Sequence, residues 1–334
     1  MLSTHLKEYA AAQYCYGSET LRFVADGNYT AKQFFAFEKK GKPYILRLAK
    51  RPAGDIARVK AEMDWLWFLA EKGVSVARPL RTVAGELAVT AEENGETFVI
   101  AAYGKAEGCL YDVNNPNLWN KKVFFGWGRV MGDMHRATKD YKPENETLRR
   151  CNIQENINGS IRKFPAACKA AEALIAEIMT LPKDRDSFGM VHADLGPGNF
   201  RIDGERINVF DFDDCQYTWF AHDIGAALSF GMWGGRYNDA GYDFANDLFR
   251  QFIAGYLSAN CLDGFWLSKV PLFLRLYQIA LFAHLNRNVI PDDDNQKEQI
   301  HNIENSVLYA GSAVDLSMFG KACDKEHADI AESI

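Results

Sequence analysis

No Walker A motif, no Rossmann glycine fingerprint and no Gly-x-Gly-x-x-Gly run occurs anywhere in the 334 residues. The first two absences exclude the P-loop and dinucleotide-binding architectures, whose phosphate cradles depend on closely spaced glycines. Cys-x-x-Cys pairs are missing as well. The seven cysteines (15, 109, 151, 168, 215, 261 and 323) are scattered, which points to reduced thiols and not to a zinc site or disulfide framework. No uninterrupted apolar run approaches the ~18–20 residues that span a bilayer, and Met1-Leu-Ser-Thr-His-Leu-Lys-Glu lacks an apolar signal core. Positive charge is also in short supply: 38 Lys and Arg against 44 Asp and Glu leave a net −6, which argues against a nucleic-acid partner. The expectation is a cytoplasmic protein without membrane or nucleic-acid partners. Its oligomeric state is not legible.

What is present is ordinary globular material, 48% hydrophobic and 25% charged, in a chain long enough for two substantial cores. Up to about residue 102 the pattern reads as strands with one helix. Leu21 to Ala25 and Phe34 to Phe37 flank the turn cluster Asp26-Gly27-Asn28, and Tyr44-Ile-Leu-Arg47-Leu follows after Lys39-Lys-Gly41-Lys. Ile56, Val59, Met63, Leu66, Trp67 and Ala70 recur at steps of three and four, which predicts an amphipathic helix from Asp55 to Lys72 stopped by Gly73. Val89 and Phe98-Val-Ile100 then bracket Asn94-Gly95, a hairpin signal. Beyond Tyr103-Gly104-Lys-Ala-Glu-Gly108 the periodicity turns helical, over Leu118 to Thr138, roughly 160–181, and 240–285.

The chemistry concentrates in His192-Ala-Asp194-Leu-Gly-Pro-Gly-Asn199 and in Asp211-Phe-Asp213-Asp214. Phe200-Arg201-Ile202, the turn Asp203-Gly204 and the run Arg206 to Phe210 predict an antiparallel hairpin between them. Such a hairpin carries Asn199 and Asp211 to one open end, on strands roughly 5 Å apart. One carboxylate to deprotonate an acceptor hydroxyl, with an amide oxygen and a second carboxylate on a cation, is what phosphoryl transfer from a nucleotide requires. Asp194 is the candidate base, and Asn199 and Asp211 are the candidate metal ligands. All-oxygen ligands favour Mg²⁺ over zinc.

This stretch resembles the aminoglycoside phosphotransferase and choline-kinase branch of the protein-kinase-like fold, with its His-x-Asp-x-x-x-x-Asn loop and following Asp. The resemblance implies an α+β, bilobal architecture. A small β-rich N-lobe (1–102) would bind nucleotide, and a larger, mainly helical C-lobe (103–334) would carry the hinge, the catalytic hairpin and the acceptor helices. It implies ATP and Mg²⁺ as cofactors and a small-molecule hydroxyl as acceptor. Asp213 and Asp214 would supply an outer-shell metal contact, or suit an amine-bearing acceptor if they face the cleft; capping or solvated charge explains them equally. In the family pattern a cation on the third strand grips phosphate and pairs with a helix glutamate, which here selects Arg47, a guanidinium in place of lysine, and Glu62. Ala102 and Tyr103 fall where hinge backbone meets the adenine edge, although an ordinary linker explains them too. Gly27 and Asn28 fall where a loop covers the phosphates, although a plain turn explains those as well. His135 is expected to bond the neighbouring loop, His192 to brace the loop backbone, and Asp223 to tie the metal loop to the helix behind it. Gly196 and Gly198 are expected to let the loop turn tightly. Among Tyr217, Trp219, Phe220, Trp266 and Tyr277, core packing is the expectation for most. Two other readings remain open, a stress-response type bacterial Ser/Thr protein kinase and a regulatory pseudokinase.

Overall fold

The computed structural model describes residues 3–14, 17–26, 32–145, 148, 150–153, 165–236 and 241–288. They form two compact units. The first comprises 1–108 together with 141–150 and 208–213, and the second the remainder.

The first unit is built on an antiparallel sheet. Its strands are β1 (Arg22–Asp26), β2 (Lys32–Lys39), β3 (Lys42–Lys50), β4 (Pro79–Leu80), β5 (Val89–Glu93) and β6 (Glu96–Gly104). The order is β1-β2-β3-β6-β4, and β5 also pairs with β6. Two tight hairpins set its register. Lys40-Gly41 joins β2 to β3, and Asn94-Gly95 joins β5 to β6, each with φ positive at both turn residues, the conformation that matches strand twist. Inward residues alternate along the strands, so Phe35, Phe37, Leu46, Leu48, Phe98, Ile100 and Ala102 share one face.

That face is covered by a helix the periodicity analysis did not anticipate, α1 (Thr4–Ala12). Leu6, Ala10 and Tyr14, spaced by four, pack on the sheet, and Ser3 caps the helix by accepting from the Leu6 N–H. The predicted helix is present as α2 (Ile56–Glu71). Gly73, at φ 80°, supplies its left-handed stop.

The second unit is mainly helical. It contains α3 (Lys121–Thr138), α4 (Pro165–Met179), α5 (Phe220–Arg236), α6 (Gly241–Ala259) and α7 (Gly264–Asn288). α3 begins three residues later than its apolar pattern suggests, because the Asn120 side chain accepts from the Lys122 and Val123 N–H groups and fixes the start there. The run 240–285 is two helices, broken between Ala259 and Gly264. α3 and α6 approach at backbone distance. A Cβ on Gly128 would sit 1.8 Å from the Phe252 carbonyl oxygen, and one on Gly255 would sit 1.9 Å from that of Phe125. Short strands β7 (Phe188–Val191) and β10 (Gln216–Trp219) pair with each other. The expected hairpin is β8 (Phe200–Asp203) and β9 (Arg206–Val209), with Phe210 just beyond its end. No described helix is long and apolar enough to cross a membrane.

Candidate active site

In the second unit the catalytic loop hangs from one buried carboxylate. Asp223, in the first turn of α5, accepts from the His192 N–H at 3.1 Å and the Ala193 N–H at 2.7 Å, and its Oδ2 lies 3.0 Å from His135 Nε2. These bonds pin Ala193 at φ 67°, a left-handed conformation that costs a side-chain-bearing residue about 1–2 kcal/mol. A carboxylate only accepts, so His135 donates from Nε2 and accepts from the Tyr256 hydroxyl at Nδ1, 2.9 Å away. Asn260 Nδ2 donates in turn to Tyr256 at 2.8 Å. Burial lowers the His135 pKa, with Asp223 opposing the shift. Burial alone would raise that of Asp223, but its bond to His135 carries it below the usual carboxylate range. Two expectations are corrected here. Asp223 ties down the catalytic loop and not the metal loop, and His135 bonds Asp223 and Tyr256 and not the loop itself. Neither histidine nor aspartate announces its partner in sequence, because those partners are backbone amides and a helix 120 residues away.

Asp194 follows directly. Its N–H donates to His192 Nδ1 at 3.3 Å, which is the bracing expected of that histidine. Asn199 Nδ2 donates both to the Asp194 carbonyl at 2.7 Å and to its Oδ2 at 2.9 Å. Both neighbours are acceptors, so the amide orientation is forced and Oδ1 is the atom turned away from the base. Tyr277, on α7, donates to Asp194 Oδ1 at 3.3 Å. Burial first, then the Asp194 and Asp214 carboxylates, push its phenol well above the ordinary range, so it stays a donor. Of the five aromatics singled out, Trp219 and Phe220 are fully buried and Trp266 nearly so, whereas Tyr277 touches the proposed base. Sequence reasoning missed it because a tyrosine on an apolar helix reads as core. Gly196 is needed for space: a Cβ there would meet the Phe230 ring at 2.8 Å, while Gly198 faces open space and neither has a positive φ.

In the first unit Arg47 of β3 and Glu62 of α2 form a two-pronged pair, Nη1–Oε1 2.9 Å and Nη2–Oε2 3.1 Å, with both side chains buried. Burial works against both charges, yet each holds the other ionised: the Arg47 pKa is raised and that of Glu62 lowered. Arg47 also donates from Nη1 to Asp213 Oδ1 at 2.7 Å. The same carboxylate takes Arg51 Nη2 at 3.1 Å and an ion pair from Lys32, while Arg150 donates to the Asp213 carbonyl. Asp213 is thus paired with cations of its own unit, and of the alternatives open for it in sequence this favours a structural charge over a grip on a cationic acceptor. Lys32, Arg51 and Arg150 carried no sequence signal beyond charge. Phe212 packs edge-on against Trp65 of α2, ring centroids 5.5 Å apart, which anchors the turn. Its neighbour Asp211 is exposed and left-handed at φ 61°.

The remaining candidates are placed as follows. Gly27 and Asn28 lie outside the described residues. Ala102 stands opposite Leu46 of β3 and Leu80 of β4, and Tyr103 opposite Ile45 and Pro79. The Gly104 N–H donates to the Arg78 carbonyl at 2.8 Å and the Lys105 N–H to that of Pro43 at 3.1 Å. Alternation then turns the Tyr103 groups toward β3. β6 ends at Gly104. Asn199 and Asp211 belong to different units.

Similarity to known proteins shows the family. Residues 20–264 match the phosphotransferase enzyme family. The chain belongs to that family. An amicoumacin kinase of Bacillus subtilis (strain 168) is 34% identical over 302 residues, covering 86% of this chain and 87% of that protein. A solved amicoumacin kinase in complex with AMP-PNP, Ca²⁺ and Ami has a TM-score of 0.82 at 25% identity, over 95% of this chain and 97% of that one. A microcompartment-associated aminopropanol kinase has a TM-score of 0.71 at 18% identity over 91% and 95%, and shows the fold alone. The phosphotransferase therefore has the protein-kinase-like α+β architecture that its motif implies. It is a kinase of small-molecule hydroxyls, and its relatives support ATP and a divalent cation as cofactors.

Proposed function

We propose that this phosphotransferase moves the γ-phosphoryl group of ATP, with Mg²⁺, to a hydroxyl of a small amine-bearing acceptor of the amicoumacin type. The observation that carries the reading is the Asn199 amide, which spends both its donor bonds on Asp194 and turns a neutral oxygen the other way. In it Asp194 accepts the proton of the acceptor hydroxyl. Asn199 Oδ1 and Asp211 hold the cation, a hard-oxygen set that suits Mg²⁺. The bound cation would neutralise charge on the phosphates. Arg47, braced by Glu62, grips a phosphate oxygen, and Gly27 and Asn28 contact the phosphates. The adenine edge meets hinge backbone at the end of β6, where Ala102 and Tyr103 lead into Gly104. Residues 1–102 carry nucleotide binding and 103–334 carry acceptor binding, in the cytoplasm.

Asp214, exposed and electrostatically coupled to Tyr277 beside the base, is the carboxylate suited to an acceptor ammonium, now that Asp213 is engaged elsewhere. A protein acceptor is disfavoured because only a dozen residues separate Asp211 from Asp223 on α5, too few for a peptide-receiving activation segment. An intact base and amide disfavour a pseudokinase. Incubating purified protein with labelled ATP, Mg²⁺ and a panel of amino alcohols and amicoumacin tests the reading. Label on one of them is expected. Transfer only to Ser or Thr of added protein would overturn it.

A further inference from the structure

Three cationic side chains share one face of the first unit's sheet, and a single internal carboxylate joins them. Arg47, Ala49 and Arg51 alternate along β3 and just past its end, so they project to the same side. Lys32 of β2 stands directly opposite Ala49 and projects with them. Small Ala49 is therefore ringed by two guanidiniums and an ammonium, and their common partner is the Asp213 carboxylate. Permanent partners divide unequally around this ring. Arg47 keeps Glu62 in two-pronged geometry, and Arg51 keeps Asp55 at 3.4 Å, whereas Asp213 is the one anion paired with Lys32 among the described ion pairs.

Asp213 itself is held by its backbone. Arg150 donates to its carbonyl and the Phe212 ring is seated on Trp65. The side chain is the part that rotation about one bond can withdraw. A carboxylate collecting three cations has the charge and the acceptor geometry of a phosphate oxygen pair. The ring includes Arg47, the residue assigned to phosphate in the reading above, on which this inference rests.

We infer that Lys32 and Arg51 are phosphate-binding residues of the nucleotide site, and that Asp213 is an internal anion that occupies their common focus until a nucleotide phosphate displaces it. Lys32 and Arg51 then gain a phosphate partner when ADP or ATP enters, and Asp213 competes with that phosphate for all three cations. The consequence has an unusual sign. Removing the Asp213 charge tightens nucleotide binding, although it takes away three ion pairs from the protein.

The experiment is calorimetric titration with ADP and with adenosine, both in EDTA so that no metal ligand takes part. In Asp213→Asn, ADP is expected to bind about tenfold more tightly than in the wild type, with adenosine unchanged. In Lys32→Met and in Arg51→Met, ADP is expected to weaken about tenfold or more, the scale of one charge-assisted hydrogen bond, again with adenosine unchanged. The two methionine variants keep the inference testable if Asp213→Asn fails to fold. Weaker ADP binding in Asp213→Asn, or ADP binding unaffected by both methionine variants, would overturn it, as would parallel losses for ADP and adenosine. Failure of the kinase reading looks different: wild-type protein would then bind neither ADP nor adenosine.

Discussion

Asp223 and Asp213 are both removed from solvent and both collect three or more polar partners, yet they are held by opposite kinds of donor. Asp223 is fixed by two backbone amides and a neutral imidazole, none of which can leave without unfolding a helix or a loop. The Asp213 side chain is paired with the cations Lys32, Arg47 and Arg51, each of a charge that another anion would also attract. Neutral, backbone-borne donors build a permanent joint. Mobile cations build one that a ligand can take over. The first kind stands behind the proposed base, the second beside the proposed phosphate clamp.

The comparison is broken most severely at the base itself. Asp194→Asn preserves size and the bond from Asn199 but removes the proton acceptor, so turnover is expected to fall about 10²–10⁴-fold. Nucleotide affinity, measured by titration, should stay within a few fold; equal losses in both would give Asp194 another role. Next in size is the joint. Asp223→Ala leaves two amides and an imidazole unpaired in the interior, and equilibrium urea unfolding should show a loss of roughly 3–5 kcal/mol. A loss below 1 kcal/mol would mean that the loop is held by something else.

Acid sharpens the same contrast. His222, buried next to Asp223, is held neutral mainly by burial, with a pKa near 4 against an ordinary 6.5. Its unfolded form takes up a proton below about pH 6.5 while the native form resists until about pH 4. Stability is therefore full above that window and falls by on the order of 3 kcal/mol as the pH drops through it. Urea midpoints at pH 7 and pH 4.5 test this, and His222→Asn should flatten the difference. On the exchangeable side, Glu62→Gln keeps one hydrogen bond to Arg47 but removes its counter-charge. The KM for ATP should rise by about tenfold with folding intact by circular dichroism. Smallest is Tyr277→Phe, which loses one 3.3 Å bond to the base. A fall in kcat of about threefold to tenfold with an unchanged KM for ATP is expected, and a change in KM alone would exclude a positioning role.

What the sequence revealed follows the same division. The Asp194–Asn199 pairing and the hairpin after it were legible because the loop and turn fix their spacing, and the structure joins the two side chains at 2.9 Å; the metal role of Asn199 and Asp211 stays a proposal. Arg47 and Glu62 were legible only through the family pattern, and the structure joins them at 2.9 Å. The partners of Asp223 and Asp213 were not legible. Backbone amides have no sequence identity, and Lys32, Arg51 and Arg150 look like any surface cation until the sheet register sets them on one face. α1 escaped notice for a simpler reason: its Leu6, Ala10 and Tyr14 make a stripe only two turns long. Where β6 ends was legible only approximately, because Pro79 pairs with Tyr103 and the Arg78 carbonyl takes the Gly104 N–H, which carries the pairing past the point where the apolar run suggests an end.

The glycine seam between α3 and α6 has a consequence for the catalytic loop. Gly128 and Gly255 leave no room for a methyl group, so this helix pair has almost no freedom to accept new residues along its seam. Trp127 from α3 donates to the Leu195 carbonyl of the catalytic loop at 3.2 Å, and His135 from the same helix reaches Asp223. The loop is thus borne on the part of the unit least able to drift. α7 reaches Asp194 through the Tyr277 hydroxyl. Substitutions along the α3–α6 seam are therefore expected to reach the loop that carries Asp194, whatever acceptor the kinase takes.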